Sequence, residues 1–351
     1  MAYSNGYDLT AVMSALENRV GFRQPLGTGA PTLSSAVTTT NSGRYFQDFH
    51  SLVTVENIKQ TMYQPAANDA DLITHLTNIR KAAIMRCLNG VFTGAHVYSV
   101  GPLYNRLGYN DQLITNSGKF VGYEINVANS PEAAIQLNSI SLYFDSAVTF
   151  NVYLFKDGKL APEFTQAVTT VADTITTVSL TDKVYGRGKY WIGYFQADIG
   201  SAKAYLEQVA CWEKTYLFTA RPAETEATGA TTFDRENLSY PSEPFGLNLD
   251  ISSFKDHTAS IKAKAAMFDE IIGLTLTYSV IEQMIYAVRS NGTERIVKDE
   301  LERVGIQLDL NGAAPISDSP QVMGLKQRID REMETVRKSF DPKPKAQVVS
   351  C

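Results

Sequence analysis

Cysteine is scarce in this chain: Cys87, Cys211 and Cys351 stand far apart in 351 residues. An odd number at such separations builds neither a complete disulfide framework nor a zinc site of ordinary spacing, which favours a reducing compartment. Histidine is little more abundant, and His50, His75, His96 and His257 are dispersed, none with a second His, Cys or carboxylate at metal-ligand spacing. Basic residues show no excess. Lys and Arg number 32 against 37 Asp and Glu, for a net charge of −5, and they are scattered, so no basic patch for nucleic acid is expected. Long apolar runs are missing as well: IIGLTLTYSVI at 271–281 is stopped by Glu282 and is too short to span a bilayer. The first residues, MAYSNGYDLTAV, lack a basic stretch followed by an apolar one, so no secretory signal is expected. A protein made in the cytoplasm, without a membrane partner, follows. The triplets Asn237-Leu238-Ser239 and Asn291-Gly292-Thr293 then read as chance glycosylation matches.

The sequence is equally poor in catalytic patterns. It has no Gly-x-Ser-x-Gly elbow. Acid pairs such as Asp299-Glu300 and Glu332 with Glu334 fall on charged helix faces, where solvation accounts for them. Gly186-Arg187-Gly188-Lys189 resembles the opening of a phosphate loop, but such a loop needs a helix behind it. Tyr190-Trp191-Ile192-Gly193-Tyr194-Phe195 follows instead, an aromatic and β-branched run that favours a strand. The reading is therefore a hairpin or edge turn. No enzyme activity, cofactor or metal is expected.

What is present is a pattern of periods. Leu9, Val12, Leu16 and Val20 behind Asp8 predict a short amphipathic helix that stops at Gly21. Residues 21–44, rich in Gly, Pro, Ser and Thr, predict a linker or an extended arm lying on something else. Helices are expected over 54–64 and 69–93, the second with Leu72, Leu76, Ile79, Ala83, Cys87 and Val91 on one stripe. Cys87 on that stripe reads as a small core residue. The middle third alternates with a period of two: Val121, Tyr123, Ile125, Val127; then Ile140, Leu142, Phe144; then Val148, Phe150, Val152, Leu154; then Tyr190, Ile192, Tyr194. The helical period then returns in Phe268, Ile272, Leu276, Val280, Met284 and Val288, whose apolar face is too broad for a solvated helix. A C-cap at Asn291-Gly292, a shorter helix over TERIVKDELERV and a last helix begun by Ser319-Pro320 complete the pattern. That last helix carries a narrow seam of Val322, Leu325, Ile329, Met333 and Val336.

The fold class expected is α+β, with helical N- and C-terminal parts flanking an inserted antiparallel β-sandwich of jelly-roll type. Its divisions are 1–112 (helix, arm 21–44 and helices), 113–220 (sandwich), 221–245 (connector), 246–340 (helices) and 341–351 (extended tail). Arms and an unusually apolar helix suggest a subunit of a large assembly that contacts copies of itself. The residues expected at those contacts are Phe268, Ile272, Leu276 and Val280 of the long helix and Leu325, Ile329 and Val336 of the last. A second reading takes Tyr190, Trp191 and Tyr194 as a stacking platform for sugar rings on a surface or tail accessory protein. A third, a hydrolase, would need an acid pair that only the fold could bring together.

The segments FVGYEINV (120–127), ISLYFDSAVTFNVYLF (140–155), GKYWIGYF (188–195), GLNLDISSFKDHT (246–258) and RSNGTERI (289–296) resemble a group of virion proteins of tailed phages and prophages of Bacteroidota. The resemblance covers most of residues 70–300. It implies a structural protein of the particle, placed by analogy at the neck as an oligomeric ring or head–tail adaptor. Portal, connector or tail subunits would be its neighbours.

Overall fold

The computed structural model describes residues 6–60, 62, 68–92, 97–212, 217–287, 300–312 and 323–340. The chain divides into two compact units, Met1–Tyr7 with Ala95–Asp256 and Asp8–Gly94 with His257–Cys351. The β-rich unit is thus an insertion, in sequence, into a helical one. Mixed helix and antiparallel sheet is the α+β class expected.

The helical unit comprises α1 (Leu9–Leu16), β1 (Val20–Gly21), α2 (Ser35–Thr38), β2 (Arg44–Tyr45), α3 (Val55–Gln60), α4 (Asp69–Val91), α5 (Thr258–Ala263), α6 (Asp269–Ala287), α7 (Glu300–Asn311) and α8 (Leu325–Phe340). Asp8 caps α1 by accepting from the Ala11 N–H at 3.2 Å. Asn68 caps α4 in the same way through the Asp71 N–H. Along α6, Ile271, Ile272, Leu274, Leu276, Val280 and Ile281 are all buried. A helix apolar on every side must lie inside its unit, and α6 packs against α3, α4, α7 and α8. Arg19 closes a two-pronged ion pair on Asp269 in its first turn, with both N···O distances 2.7 Å. The buried stripe of α4 runs Leu72, Leu76, Arg80, Ala83, Ile84, Cys87, Leu88 and Val91; it follows the predicted stripe except at Ile79, which is half-buried, while Arg80 beside it turns inward and donates Nη2 to Ala36 O at 2.8 Å. The C-cap expected at Asn291-Gly292 and the helix start at Ser319-Pro320 lie outside the described residues, as do Val288, Val322 and the tail.

Residues 21–44, expected to be a linker or an extended arm lying on something else, fold onto their own unit. Val20–Gly21 pairs in parallel with Arg44–Tyr45, so both ends of the segment are tied together. Between them Phe22 and Val37 are fully buried and Leu33 nearly so. The Phe22 N–H donates to Val37 O at 2.9 Å, and the Phe22 ring meets Phe46 at 4.6 Å. Three apolar side chains in a Gly/Pro/Thr-rich stretch suffice to fold it back onto its own unit. Composition alone did not weigh them.

The β-rich unit contains β3 (Val97–Pro102), β4 (Tyr104–Leu113), β5 (Phe120–Val127), β6 (Ala133–Leu142), β7 (Thr149–Lys156), β8 (Phe164–Thr169), β9 (Thr176–Gly186), β10 (Gly188–Phe195), β11 (Tyr205–Trp212), β12 (Phe218–Thr225), β13 (Leu238–Ser239) and β14 (Leu247–Lys255). Among the described residues they form a sheet of order β13-β12-β5-β10-β7-β8, another of order β3-β14-β6-β9, and a bulged ribbon of β4 with β11, every pair antiparallel. One hydrophobic cluster takes side chains from both larger sheets. Tyr123, Ile125, Val152, Ile192 and Tyr194 come from one, and Leu137, Ile140, Leu249 and Ile251 from the other.

One expectation changes here and another narrows. The β-rich part is not confined to 113–220. β14, which lies where helix was expected from 246 onward, pairs with both β3 and β6, and the supposed connector carries the end of β12 and all of β13. β14 alternates Leu247, Leu249 and Ile251 inward, but its partner β3 lies some hundred and fifty residues earlier, a pairing no local pattern reveals. The Gly186-Arg187-Gly188-Lys189 stretch is not a hairpin but the other form expected of it, a turn leaving β9 at the edge of its sheet. β9 and β10 belong to different sheets, so Arg187 is the link by which the chain changes sheets. Gly188 takes φ +138 there, a conformation closed to most side chains. β10 itself lies inside the six-stranded sheet, as its aromatic run predicts.

Candidate functional site

The seven residues expected at subunit contacts are core. Phe268, Ile272, Leu276, Val280, Leu325, Ile329 and Val336 are 0 to 8 % exposed in a single chain. Leu325 and Ile329 pack with Leu274, Ile281 and Leu310. The breadth of the apolar face on α6 was legible, but what covers it is the chain's own α3, α4, α7 and α8.

The sugar platform is likewise dismantled. Neighbours in a strand point to opposite faces, so Tyr190 and Tyr194 enter the cluster shared by the two larger sheets while Trp191 faces the other way. The Tyr190 hydroxyl donates to Gly186 O at 2.8 Å and that of Tyr194 to Phe245 O at 3.0 Å. Burial pushes the Tyr194 phenol well above its ordinary range. Trp191 is only 2 % exposed. No flat aromatic surface is left for a sugar on these three residues.

Trp191 instead takes part in a buried polar arrangement centred on Glu124. Glu124, in the middle of β5, stands directly across from Trp191 of β10 on one side and from Arg221 of β12 on the other. Its side chain is 1 % exposed. Arg221 donates Nε and Nη2 to Oε1, at 3.0 and 2.7 Å. Oε2 accepts from the Trp191 indole N–H at 3.3 Å and from the Tyr240 hydroxyl at 3.0 Å. Lys189 Nζ stands 3.7 Å from the same oxygen. The Arg221 guanidinium also lies over the Tyr240 ring, 3.4 Å from its centroid, a cation–π contact that fixes the plane of the fork. A carboxylate has about four acceptor positions, and four N–H or O–H donors occupy them. Such a group holds strands and a loop in register.

Beside it, on the same face, Phe120, Phe155, Trp191, Phe195 and Ala227 form a second apolar cluster, with Tyr153, Ala230, Phe233 and Leu238 packed against it. The floor of this bowl is two glycines, Gly122 and Gly193, paired across the strands. Its cover is the segment between β12 and β13, which sends Phe233 into the centre.

Sequence reasoning singled out Trp191 but missed Glu124, Arg221 and Tyr240. The one available signal was a lone acid inside the apolar run FVGYEINV. The histidines remain apart. His50 bonds Asp309 at 2.9 Å, burial lowers the pKa of His75, His257 lies among the rings of Phe92 and Phe340, and His96 lies outside the described residues. Among the described residues no three His, Cys, Asp or Glu side chains gather as metal ligands, and no helix is long and apolar enough to cross a membrane. Cys87 donates toward Thr275 Oγ1 at 3.3 Å and Ile271 O at 3.4 Å, and burial pushes its thiol up to about 12.

No protein-family model matches the chain, and no curated protein matches it. Among solved structures, the D1-D2-D3 domains of the flagellar cap protein from Escherichia coli align over 81 % of this chain and 87 % of that one. The identity is 10 % and the TM-score 0.15, a likeness too slight to carry an argument.

Proposed function

We propose that the chain is a non-enzymatic structural subunit of a tailed-phage particle that assembles with copies of itself, as a ring or adaptor at the head–tail junction. The observation that carries this reading is the insertion of an all-antiparallel β module into a helical unit whose two halves come from the ends of the described chain. The β module supports a finer reading, a β-sandwich of jelly-roll type. With the β4–β11 ribbon and the further strands β12 and β13 of the six-stranded sheet set aside, the strands β3, β5, β6, β7, β8, β9, β10 and β14 divide between sheets as β3-β14-β6-β9 and β5-β10-β7-β8. This order supports an eight-strand double Greek key, an architecture that serves viral capsids and lectins among other roles. Fold does not fix function, so the virion assignment rests on this architecture together with the resemblance of the five segments quoted above. Partners in the particle would be neighbouring connector, portal or tail subunits. Their contact surface lies outside the seven core residues Phe268, Ile272, Leu276, Val280, Leu325, Ile329 and Val336.

Two measurements test the reading. Light scattering coupled to size exclusion, at two concentrations, should return a discrete multiple of the 38.7 kDa subunit. Gold-labelled antibody raised against the purified protein should mark one position on particles induced from the strain that carries the gene. Particles that bind no gold would sink the virion role even if the protein oligomerises alone.

A further inference from the structure

We infer that the β-rich unit joins a second copy of this chain head to tail: the basic, leucine-tipped end of β7, β8 and β10 seats on the acidic, aliphatic-tipped opposite end of the next copy. This contact rests on the self-assembly reading above and gives it a surface.

Strand register places the two ends. β10 runs antiparallel to β7, with Tyr190 beside Lys156 and Gly193 beside Tyr153. β8 continues the pairing, with Phe164 beside Leu154 and Thr169 beside Thr149. One end of the three strands therefore carries the β7–β8 turn and the β9–β10 link. The other carries the approach to β7, the β8–β9 loop and the residues that follow β10. At ~3.3 Å per residue, the ends lie roughly 20–25 Å apart.

The first end is basic. Lys156, Lys159, Arg187 and Lys189 gather there against Asp157 and Glu163, and the turn is tied to the link by the Asp157 N–H, which donates to Lys189 O at 2.9 Å. Lys159 takes up Glu163 at 2.6 Å, while Arg187 is exposed. Leu160 at the tip of the turn is 90 % exposed. The turn beneath it is braced, with Gly158 at φ +77 and the Lys159 N–H donating to Lys156 O at 3.2 Å.

The opposite end is acidic. Asp145, Asp173 and Asp198 stand there against Lys203, and Lys119 at the same end is taken up by Glu224 and Glu226 at 3.1 and 3.0 Å. Backbone bonds hold the acids in place: the Asp173 N–H donates to Phe144 O at 2.9 Å, and Asp145 Oδ1 accepts from the Lys203 N–H at 2.8 Å. Val171 and Ile175 flank Asp173 and are 57 % and 47 % exposed. Each end thus offers aliphatic tips among charges of the sign that the other end lacks, the pattern of an apolar contact inside a complementary polar rim. Both halves of the match lie on one chain, which makes a second copy the occupant. Pairing like ends would oppose like charges, so the contact is heterologous, and it propagates to a ring where the rotation closes.

The test compares self-association of the full chain with two charge-reversed variants, Lys159→Glu with Arg187→Glu and Ala172→Lys with Asp198→Lys, by light scattering over a concentration series. Each should associate about tenfold or more weakly, and an equimolar mixture of the two should recover association, because each reversed end then meets its opposite. Leu160→Ser, at a side chain too exposed to support the fold, should weaken association about threefold or more with an unchanged melting temperature. An oligomer that survives both reversals, or variants that stay apart when mixed, overturns this contact while self-assembly stands. A wild-type chain that is monomeric at every concentration overturns both, and one that is monomeric yet sediments with phosphatidylserine vesicles assigns the basic end to a lipid surface instead. Should a reversed variant fail to fold, Leu160→Ser decides alone, and association equal to wild type overturns the contact.

Discussion

Gly122 and Gly193 face each other across β5 and β10, and a Cβ on either would fall among the backbone atoms of the opposite strand. The two central strands approach at this point more closely than any side chain allows. The close approach also sets the floor of the aromatic bowl, so one backbone feature shapes both the sheet and its outer face.

Gly193→Ala or Gly122→Ala should therefore force the strands apart. The strain has no flexible side chain to absorb it, and the expected loss is roughly 2–4 kcal/mol. Urea unfolding followed by circular dichroism reads it. An alanine variant as stable as wild type would mean that the strands are not held this closely in solution.

Glu124 joins side chains from two neighbouring strands and one loop to a single buried carboxylate. Glu124→Gln replaces an anion that accepts four bonds with an amide that must donate two of its own, so Arg221, Trp191 and Tyr240 cannot all stay satisfied. Because the Arg221 side chain is about half exposed, water relieves part of the loss, and roughly 2 kcal/mol is expected. Glu124→Gln with Arg221→Met should cost less than the sum of the two single changes. Additive losses in that cycle would mean the pair is not coupled.

The elements that were legible in the sequence were those whose partners are near or whose period is strong. α4 and α6 declared themselves by period, and β5, β7 and β10 by alternation. Exposure was harder to read. Trp191 occupies the face of β10 that alternation assigns to solvent, and only the segment between β12 and β13, forty residues later, reveals that this face is covered. For the same reason the broad apolar face of α6 was assigned to a partner subunit: a sequence shows how much surface must be buried, not which residues bury it. β3 and β14 were missed because their pairings lie far along the chain: β14 pairs with both β6 and β3, and β3 pairs with β14. Glu124 stayed invisible because its meaning depends on register, which places Trp191 and Arg221 directly beside it.

Ile272→Asp separates a core position from an interface position. With Ile272 1 % exposed inside one chain, an aspartate there is a buried charge without a partner, and about 4 kcal/mol or more should be lost. The expected result is loss of cooperative helix unfolding by circular dichroism, with aggregation or a molten chain, whereas Ile272→Val should cost about 1 kcal/mol. A variant that melts like wild type but elutes as a smaller species would instead place Ile272 at a subunit contact.

Cys87 supplies a pH dependence whose sign can be worked out. Its thiol titrates near 9.0 when free and is pushed up to about 12 in the fold, chiefly by burial. The folded state therefore favours the protonated form. This contribution to stability is whole below the free thiol's value and is lost as pH rises from about 9 toward about 12, because the unfolded chain can ionise while the folded one resists. The slope from this one group cannot exceed about 1.4 kcal/mol per pH unit. Every other ionisable group is common to wild type and to Cys87→Ala, so the difference between the two urea-unfolding profiles isolates Cys87. Wild type should lose stability more steeply than the variant between about pH 9 and about pH 11, and the native thiol should resist labelling at neutral pH. Parallel profiles, or rapid labelling of Cys87 in the folded chain, would show that the thiol is not enclosed between α4 and α6.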